Sequence, residues 1–313
     1  MTKILITGAA GAVGRALLQR LGRLSQIDVI ATDICTPPEL PENARFLPID
    51  VTKDDAQRII MAERPETIVH LASIVTPGAG STRDLEYQVD VGGTRRVLDA
   101  AIAAGVRRLV VTSSGAAYGY HADNSVPLCE TDPIRGNKEF AYSWHKRLVE
   151  EMLAKAREGN PDLEQVVLRV GTVLGVGVDN QITALFHKPR LLGLIGSDSP
   201  FVFIWDEDLA EILLRAATDS PAGIFNVSGD GALTVSQIAE AMGKPVRWLP
   251  PRLVRLALSI AHPLSLSRYG PEQVRFLQFR PVLGNSALKK AFGYQPRYSS
   301  AEAFQLWWRA QDD

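Results

Sequence analysis

Thr7-Gly8-Ala9-Ala10-Gly11-Ala12-Val13-Gly14 follows an apolar run, Ile4-Leu5-Ile6, and opens an amphipathic helical pattern over Val13–Leu24. In such a strand–loop–helix unit Gly8 permits the tight turn, Gly11 lets the backbone approach a pyrophosphate, and Gly14 lets helix and strand pack closely. Phosphates then rest at a helix N-terminus, where free N–H groups and the dipole favour anions. A glycine pattern alone also fits a plain tight turn. The next apolar run, Val29–Asp33, narrows the choice, because Asp33 ends it 19 residues after Gly14. A carboxylate there accepts hydrogen bonds from an adenosine ribose and repels a 2′-phosphate. No Arg or Lys follows Asp33 closely, so the expected cofactor is NAD rather than NADP. Gly8, Ala10, Gly11, Ala12, Val13, Gly14 and Asp33 are its expected contacts.

Working outward, Arg45–Asp50, Ile68–Ala72, Leu109–Ser113 and Val166–Val170 read as further buried strands. Helical patterns over Lys53–Glu63, Glu86–Ala104 and Glu139–Arg157 lie between them. This alternation predicts an α/β fold, a Rossmann-type doubly wound parallel sheet covered on both faces. Asp50-Val51 falls at the end of the third strand, where an adenine ring would rest; Asp50 or Thr52 could instead cap the next helix. After Val170 the rhythm changes and Gly and Pro become frequent. We therefore expect an NAD-binding domain over 1–172 and a mainly substrate-binding lobe over 173–313. The two interleave near 201–228, where Phe201–Ile204, a helix near Asp208–Ala217 and a late strand Ile224–Val227 return to the sheet. Trp307-Trp308 is expected to dock the last helix onto the lobe.

Composition bounds the function. Of 313 residues, 46% are hydrophobic and 22% charged, and the net charge is −1 with basic residues scattered. No global field draws such a chain to nucleic acid or an anionic membrane. Cys35 and Cys129 form no framework or metal spacing. His121, His145, His187 and His262 likewise make no ligand set, so no metal is expected. The N-terminal run is too short for a signal segment, and no apolar run reaches the roughly 18 residues of a membrane span. A cytoplasmic enzyme of a small-molecule substrate is the expectation, with no nucleic-acid or membrane partner.

The chemistry centres on Tyr142-Ser143-Trp144-His145-Lys146, which places Tyr142 and Lys146 on one helix face at i,i+4. A tyrosine works as a base near neutral pH where a neighbouring cation stabilises its phenolate. Lys146 can supply that charge and also bind a nicotinamide ribose. The spacing alone is common. Upstream, Leu109-Val110-Val111-Thr112-Ser113-Ser114 ends at the carboxyl edge of the sheet, where open α/β folds bind ligands. Ser114 there can bond a substrate oxygen and share proton handling with Tyr142. Turn chemistry ahead of Gly115 is the plainer role for both serines.

Taken together, the chain resembles the extended short-chain dehydrogenase/reductases, in particular the NAD-dependent epimerase/dehydratase family that includes UDP-glucose 4-epimerase-like proteins. The resemblance is carried by Thr7–Gly14, Asp33, Asp50-Val51, His70-Leu71-Ala72, Val89–Thr94, Thr112–Gly119, Tyr142 with Lys146, Leu168-Arg169, Phe203–Ala210, Ile224–Val227 and Asn285–Pro296. It implies hydride transfer between NAD and a secondary alcohol or ketone carbon. Tyr142 exchanges the hydroxyl proton, Ser114 orients the oxygen and Lys146 holds the ribose. It further implies cofactor contacts from Leu71, Ala72, Ser73, Thr112, Gly171 and Thr172, and substrate contacts from Ser114, Gly115, Thr172, Phe201 and Trp205. A homodimer is a family expectation.

Departures from the family pattern concern the substrate. The Asn usual after the sixth strand is Thr172, the Arg expected shortly before Phe203–Ala210 falls near Phe201, a His in that motif is Trp205, and Asp90 stands where an Asn is common. A diphosphate without a guanidinium loses strong charge-assisted bonds. Arg190, Arg247, Arg252, Arg268 and Arg280 are available to compensate. Leu191, Leu192, Leu194, Ile195, Phe201, Phe203, Trp205 and a greasy stretch Leu253–Ile260 either pack the lobe or line an apolar pocket. The expectation is thus a sugar or nucleotide-sugar enzyme. The alternatives are a 3β-hydroxysteroid dehydrogenase-like enzyme of a hydrophobic alcohol and a non-catalytic NAD-binding protein.

Overall fold

A computed structural model describes residues 2–78, 80–178, 180–264, 266–267 and 270–311. Strands β1 (Thr2–Thr7), β2 (Ile27–Asp33), β3 (Ala44–Pro48), β4 (Thr67–His70), β5 (Arg108–Ser114) and β6 (Glu164–Val170) build the main sheet. Three strands follow outside it: β7 (Thr172–Leu174), β8 (Leu191–Leu194) and β9 (Phe203–Trp205). The chain then returns as β10 (Gly223–Val227) and makes a last strand, β11 (Val246–Leu249). The sheet is parallel throughout, in the order β10-β6-β5-β4-β1-β2-β3. Strand order reverses between β1 and β4, so their carboxyl ends part and leave a crevice, the usual ligand position in open α/β sheets.

Alternate side chains on each strand serve opposite faces. Ile4 and Ile6 face helices α1 (Ala12–Leu21) and α7 (Asp206–Thr218), with Val29, Val110 and Leu213 in the same core. Leu5, Ile30, Ile68 and Leu109 face α2 (Asp55–Glu63), α4 (Thr94–Ala103) and α5 (Ala141–Gly159). Burial on both faces is why these strands read as continuous apolar runs rather than alternating ones.

One expected element is divided. Glu86–Ala104 was read as a single helix, but α3 (Arg83–Tyr87) and α4 are joined by a π-helical turn over Gln88–Gly93. Such turns are frequent at functional sites, and this one carries Asp90. The third strand also ends earlier, at Pro48, which leaves Asp50 in the following loop.

Beyond the sheet, β7 pairs with β9 and β8 with β11, both parallel. Helices α6 (Gln181–Phe186), α8 (Val235–Ala241) and α12 (Ser300–Arg309) surround an aromatic core of Phe186, Phe201, Phe203, Phe304 and Trp307. Capping boxes at Thr234/Gln237 and Ser299/Glu302 start α8 and α12 by pairing free N–H groups with side chains. Trp307 is 1% exposed, and Lys244 lies over the Trp308 ring. Helices α9 (Pro251–Ala261), α10 (Gln273–Gln278) and α11 (Ser286–Lys290) complete the chain.

Candidate active site

A cleft of about 1560 Å³ runs from the glycine loop, past the carboxyl ends of β4, β5 and β6, to α9 and α10. Single small-ligand sites span about 300–1,000 Å³, so this one has room for a dinucleotide and a second molecule.

At its head the three glycines behave differently. Gly8 has φ +73°, and a Cβ there would lie 2.7 Å from the Ala72 nitrogen. A Cβ on Gly14 would lie 2.3 Å from the Gly8 carbonyl oxygen. A Cβ on Gly11 meets only the Gly8 oxygen at 3.4 Å, and Gly11 lines the cleft with Ala12 and Val13. Gly8 and Gly14 therefore answer to the fold, while Gly11 is small toward the cleft. Helix α1 has no side-chain cap and no acidic residue in its first turn, so its first N–H groups are left for an anion. Asp33 Oδ2 accepts from the Ala10 N–H at 2.9 Å and Oδ1 from Ile34 at 2.7 Å. Its carboxylate is thereby anchored beside the loop, as an adenosine-ribose acceptor needs. This donor and acceptor set fits an NAD pyrophosphate and ribose.

Asp50 is held differently. Its carboxylate accepts from the Thr52 N–H at 2.9 Å and the Thr52 hydroxyl at 2.6 Å, and α2 starts only after Asp54. Neither Asp50 nor Thr52 is the cap of α2; they form a local turn ahead of it. Val51 packs beneath Gly93 of the π turn.

Helix α5 lies along the turn Gly115–Tyr118, tied down where the Ser143 hydroxyl donates to the Ala116 carbonyl at 2.7 Å. That contact sets Tyr142 and Lys146 over the carboxyl end of β5. Lys146 Nζ donates to the Thr112 carbonyl at 3.0 Å and lies 5.4 Å from the Tyr142 ring centroid. The Tyr142 hydroxyl has no hydrogen bond among the described residues, and Tyr142, Ser114 and Gly115 line the same cleft. Ser114 Oγ accepts from the Ala116 N–H at 3.2 Å, so the turn role and exposure to the cleft coexist. Leu71, Ser73, Thr112, Gly171, Thr172 and Phe201 also border the cleft, and Ala72 packs beneath Gly8. Trp205 does not join them: it is buried in the lobe core against Tyr298, 6.1 Å between ring centroids. Trp205 and Phe203, alternate residues of β9, both turn into that core.

Behind Lys146 lies a buried polar cluster that sequence reading left unconnected. Asp90 accepts from the Ser73 hydroxyl at 2.8 Å and the Ile74 N–H at 3.0 Å, and its second oxygen is 3.1 Å from His145 Nδ1. Burial alone would raise Asp90, but the bonds from His145 and Ser73 and the Lys146 charge outweigh it and hold the carboxyl below its ordinary value. His70 is fixed between the hydroxyls of Thr7 at 2.7 Å and Thr94 at 3.0 Å. Burial first, then the Lys146 charge, lowers His70 to about 3, with Asp90 opposing. Only the departure at Asp90 pointed this way in the sequence. His145, which the sequence tied to no ligand set, is 1% exposed and packed against that carboxylate.

At the far end, Arg280 is the second feature the sequence could not place. Its guanidinium carbon stands 3.8 Å from the Phe201 ring centroid and 5.0 Å from that of Phe276. One terminal nitrogen donates to the Ser199 carbonyl at 2.7 Å, and Nε has no partner. No carboxylate pairs with it among the described residues. Burial lowers Arg280 to about 9, opposed by the neighbouring Tyr120 and Asp198, so it stays cationic at neutral pH. Phe201, standing where a family arginine is expected, is the platform on which this guanidinium stacks.

The sequence matches the model of the NAD dependent epimerase/dehydratase family over residues 4–228. A UDP-glucose 4-epimerase of Erwinia amylovora is 31% identical, the alignment covering 77% of this chain and 82% of that protein. Among solved structures, the UDP-Glc/GlcNAc 4-epimerase of Campylobacter jejuni superposes with a TM-score of 0.76 at 18% identity, covering 100% of this chain and 99% of the other. The dTDP-glucose 4,6-dehydratase of Bacillus anthracis in complex with NAD gives 0.74 at 16% identity, covering 100% and 97%.

Proposed function

The chain belongs to the NAD-dependent epimerase/dehydratase family, and from that premise we propose that it epimerises a nucleotide-linked sugar at a secondary alcohol carbon. The observation that carries the substrate class is Arg280. A buried cation without a carboxylate is costly unless a ligand brings the counter-charge, and a diphosphate does so with bidentate acceptors. The competing substrate, an apolar secondary alcohol, matches the walls formed by Val254, Leu258 and Phe276 but leaves Arg280 uncompensated.

NAD supplies the hydride acceptor and donor when bound, held by the N-terminus of α1 and by Asp33. The chain's own residues manage protons and placement. Tyr142 presents its hydroxyl to the cleft as the group that exchanges the substrate hydroxyl proton. Lys146, fixed by the Thr112 carbonyl, sets its ammonium group beside the Tyr142 ring and would also hold the cofactor ribose. Ser114 holds the reacting oxygen at the strand end, and Asp90 and His145 brace α5 from behind. The neighbours of Ser114, Gly115 and Ala116, carry no acid to expel a leaving group, and Glu139 in the cleft is engaged by Arg275 at 3.2 Å. Return of hydride to the same carbon therefore fits better than elimination.

The test is product analysis. Purified enzyme is incubated with a panel of nucleotide sugars, sugar stereochemistry is followed by NMR and NADH by absorbance. Epimer formation without net NADH supports the reading. NADH accumulation with an apolar alcohol, and no conversion of any nucleotide sugar, overturns it.

A further inference from the structure

Helix α9 buries none of its residues, unlike every other described helix of eight residues or more. At 100° per residue its side chains fall on three arcs. Val254, Leu258 and Ala261 are half-buried, and the first two line the cleft. Leu253, Leu256, Ala257 and Ile260, with Leu264 just beyond the helix, share the next arc and are open to solvent. Leu256 is 58% exposed and Ile260 56%. Arg252, Arg255, Ser259 and His262 take the remaining arc, all exposed. Trp248, Leu192 and Ile195, in or next to the paired strands β11 and β8, are exposed as well.

Charge selects what this face meets. From Ala241 to Pro271 the sequence holds Lys244, Arg247, Arg252, Arg255 and Arg268 and no acidic residue, in a chain whose net charge is −1. Lys188, Arg190 and Arg247 line a shallow depression beside Leu192. None of Lys188, Arg190, Arg247, Arg252 and Arg255 pairs with a carboxylate among the described residues. A two-fold contact with a second copy would set these cations against one another. A surface of anionic lipid matches both arcs at once, apolar stripe to acyl boundary and arginines to headgroup phosphates.

We propose that α9 docks on an anionic membrane surface, lying in the interface with Leu253, Leu256, Ile260 and Leu264 inserted and Arg252 and Arg255 at the headgroups. This departs from the sequence expectation of no membrane partner, which rested on the near-zero net charge and on the lack of a spanning segment; no described helix is long and apolar enough to cross a membrane, and the basic residues invoked here are local to one face. Because Val254 and Leu258 on the adjoining arc line the cleft, docking sets one cleft wall at the lipid. The inference stands apart from the identity of the substrate.

The experiment is flotation of the full-length, NAD-loaded protein with vesicles of phosphatidylcholine alone or with about 30% phosphatidylglycerol. The protein should float with the anionic vesicles only and be released at about 0.5 M salt, where screening is strong. At roughly fivefold per basic residue, Arg252→Gln with Arg255→Gln lowers partitioning about twenty- to thirtyfold. Leu256→Asp with Ile260→Asp abolishes it, and unchanged NAD affinity in both variants verifies folding. Equal flotation with neutral vesicles, no flotation at all, or flotation indifferent to Leu256 and Ile260 overturns the proposal. So does a dimer-to-monomer shift in the Leu256/Ile260 variant when the parent protein ignores vesicles, since the face would then serve a second copy.

Discussion

Tyr142 and Lys146 would share a helix face in any helix; Thr112 and Ser114 at the end of β5 give their pairing a purpose. Removing only the phenolic hydroxyl tests that. Tyr142→Phe should keep NAD affinity, read by fluorescence titration, and lower turnover about 10²–10⁴-fold, the range of a lost acid–base group. Near-parental turnover would remove Tyr142 from the chemistry. Asp33→Ala should weaken NAD about tenfold to a hundredfold, the worth of charge-assisted bonds, while NADP changes little. Equal loss of both cofactors would show that Asp33 does not read the ribose. At this scale the sequence disclosed what lies close to a motif. It offered Arg280 only as one of five arginines and could not place it, because its approach to Phe201 depends on the irregular path after α10; nor did it show the turn of Trp205 into the lobe core.

Glycines make the loop between β1 and α1 a case where one residue type serves two ends. Gly14→Ala forces a methyl group into the Gly8 carbonyl and should destabilise the protein by about 1–3 kcal/mol, as overpacking does, seen in urea unfolding. Gly11→Ala meets no such obstacle; its unfolding midpoint should be unchanged while NAD binding weakens. If Gly11→Ala were the less stable of the two, the division of roles would be wrong. The elements themselves were legible because buried parallel strands write apolar runs and amphipathic helices write a 3.6-residue period. The π turn at Gln88–Gly93 was not, since its helical pattern is uninterrupted; it carries Asp90, whose contacts with Ser73, Ile74 and His145 join segments distant in sequence.

Over the whole molecule, buried ionisable groups behind and beside the cleft carry both the pH dependence of stability and the substrate class we propose. His70 is neutral in the native protein down to about pH 3, whereas an unfolded histidine takes a proton below its ordinary value of 6.5. The unfolded chain therefore binds more protons between those values, and stability falls as pH falls through that window. From pH 6.5 to 5 the loss is about 2 kcal/mol, and His70→Gln should lack this contribution whatever its stability at neutral pH. An identical pH slope in parent and variant would refute it. The doubly wound parallel sheet followed from strand–helix alternation; the lobe, built from short strands and proline-rich connections, left little pattern to read, and the place of Arg280 in the cleft was hidden with it. That the cleft takes an anionic, diphosphate-bearing substrate is the account's central proposal. Its most direct test is calorimetric titration of nucleoside diphosphates and their sugars into the NAD-loaded protein and Arg280→Met. The account predicts binding of at least one such ligand, weakened about a hundredfold or more in the variant with NAD affinity unchanged. Binding indifferent to Arg280, or no binding by the parent protein, would contradict it.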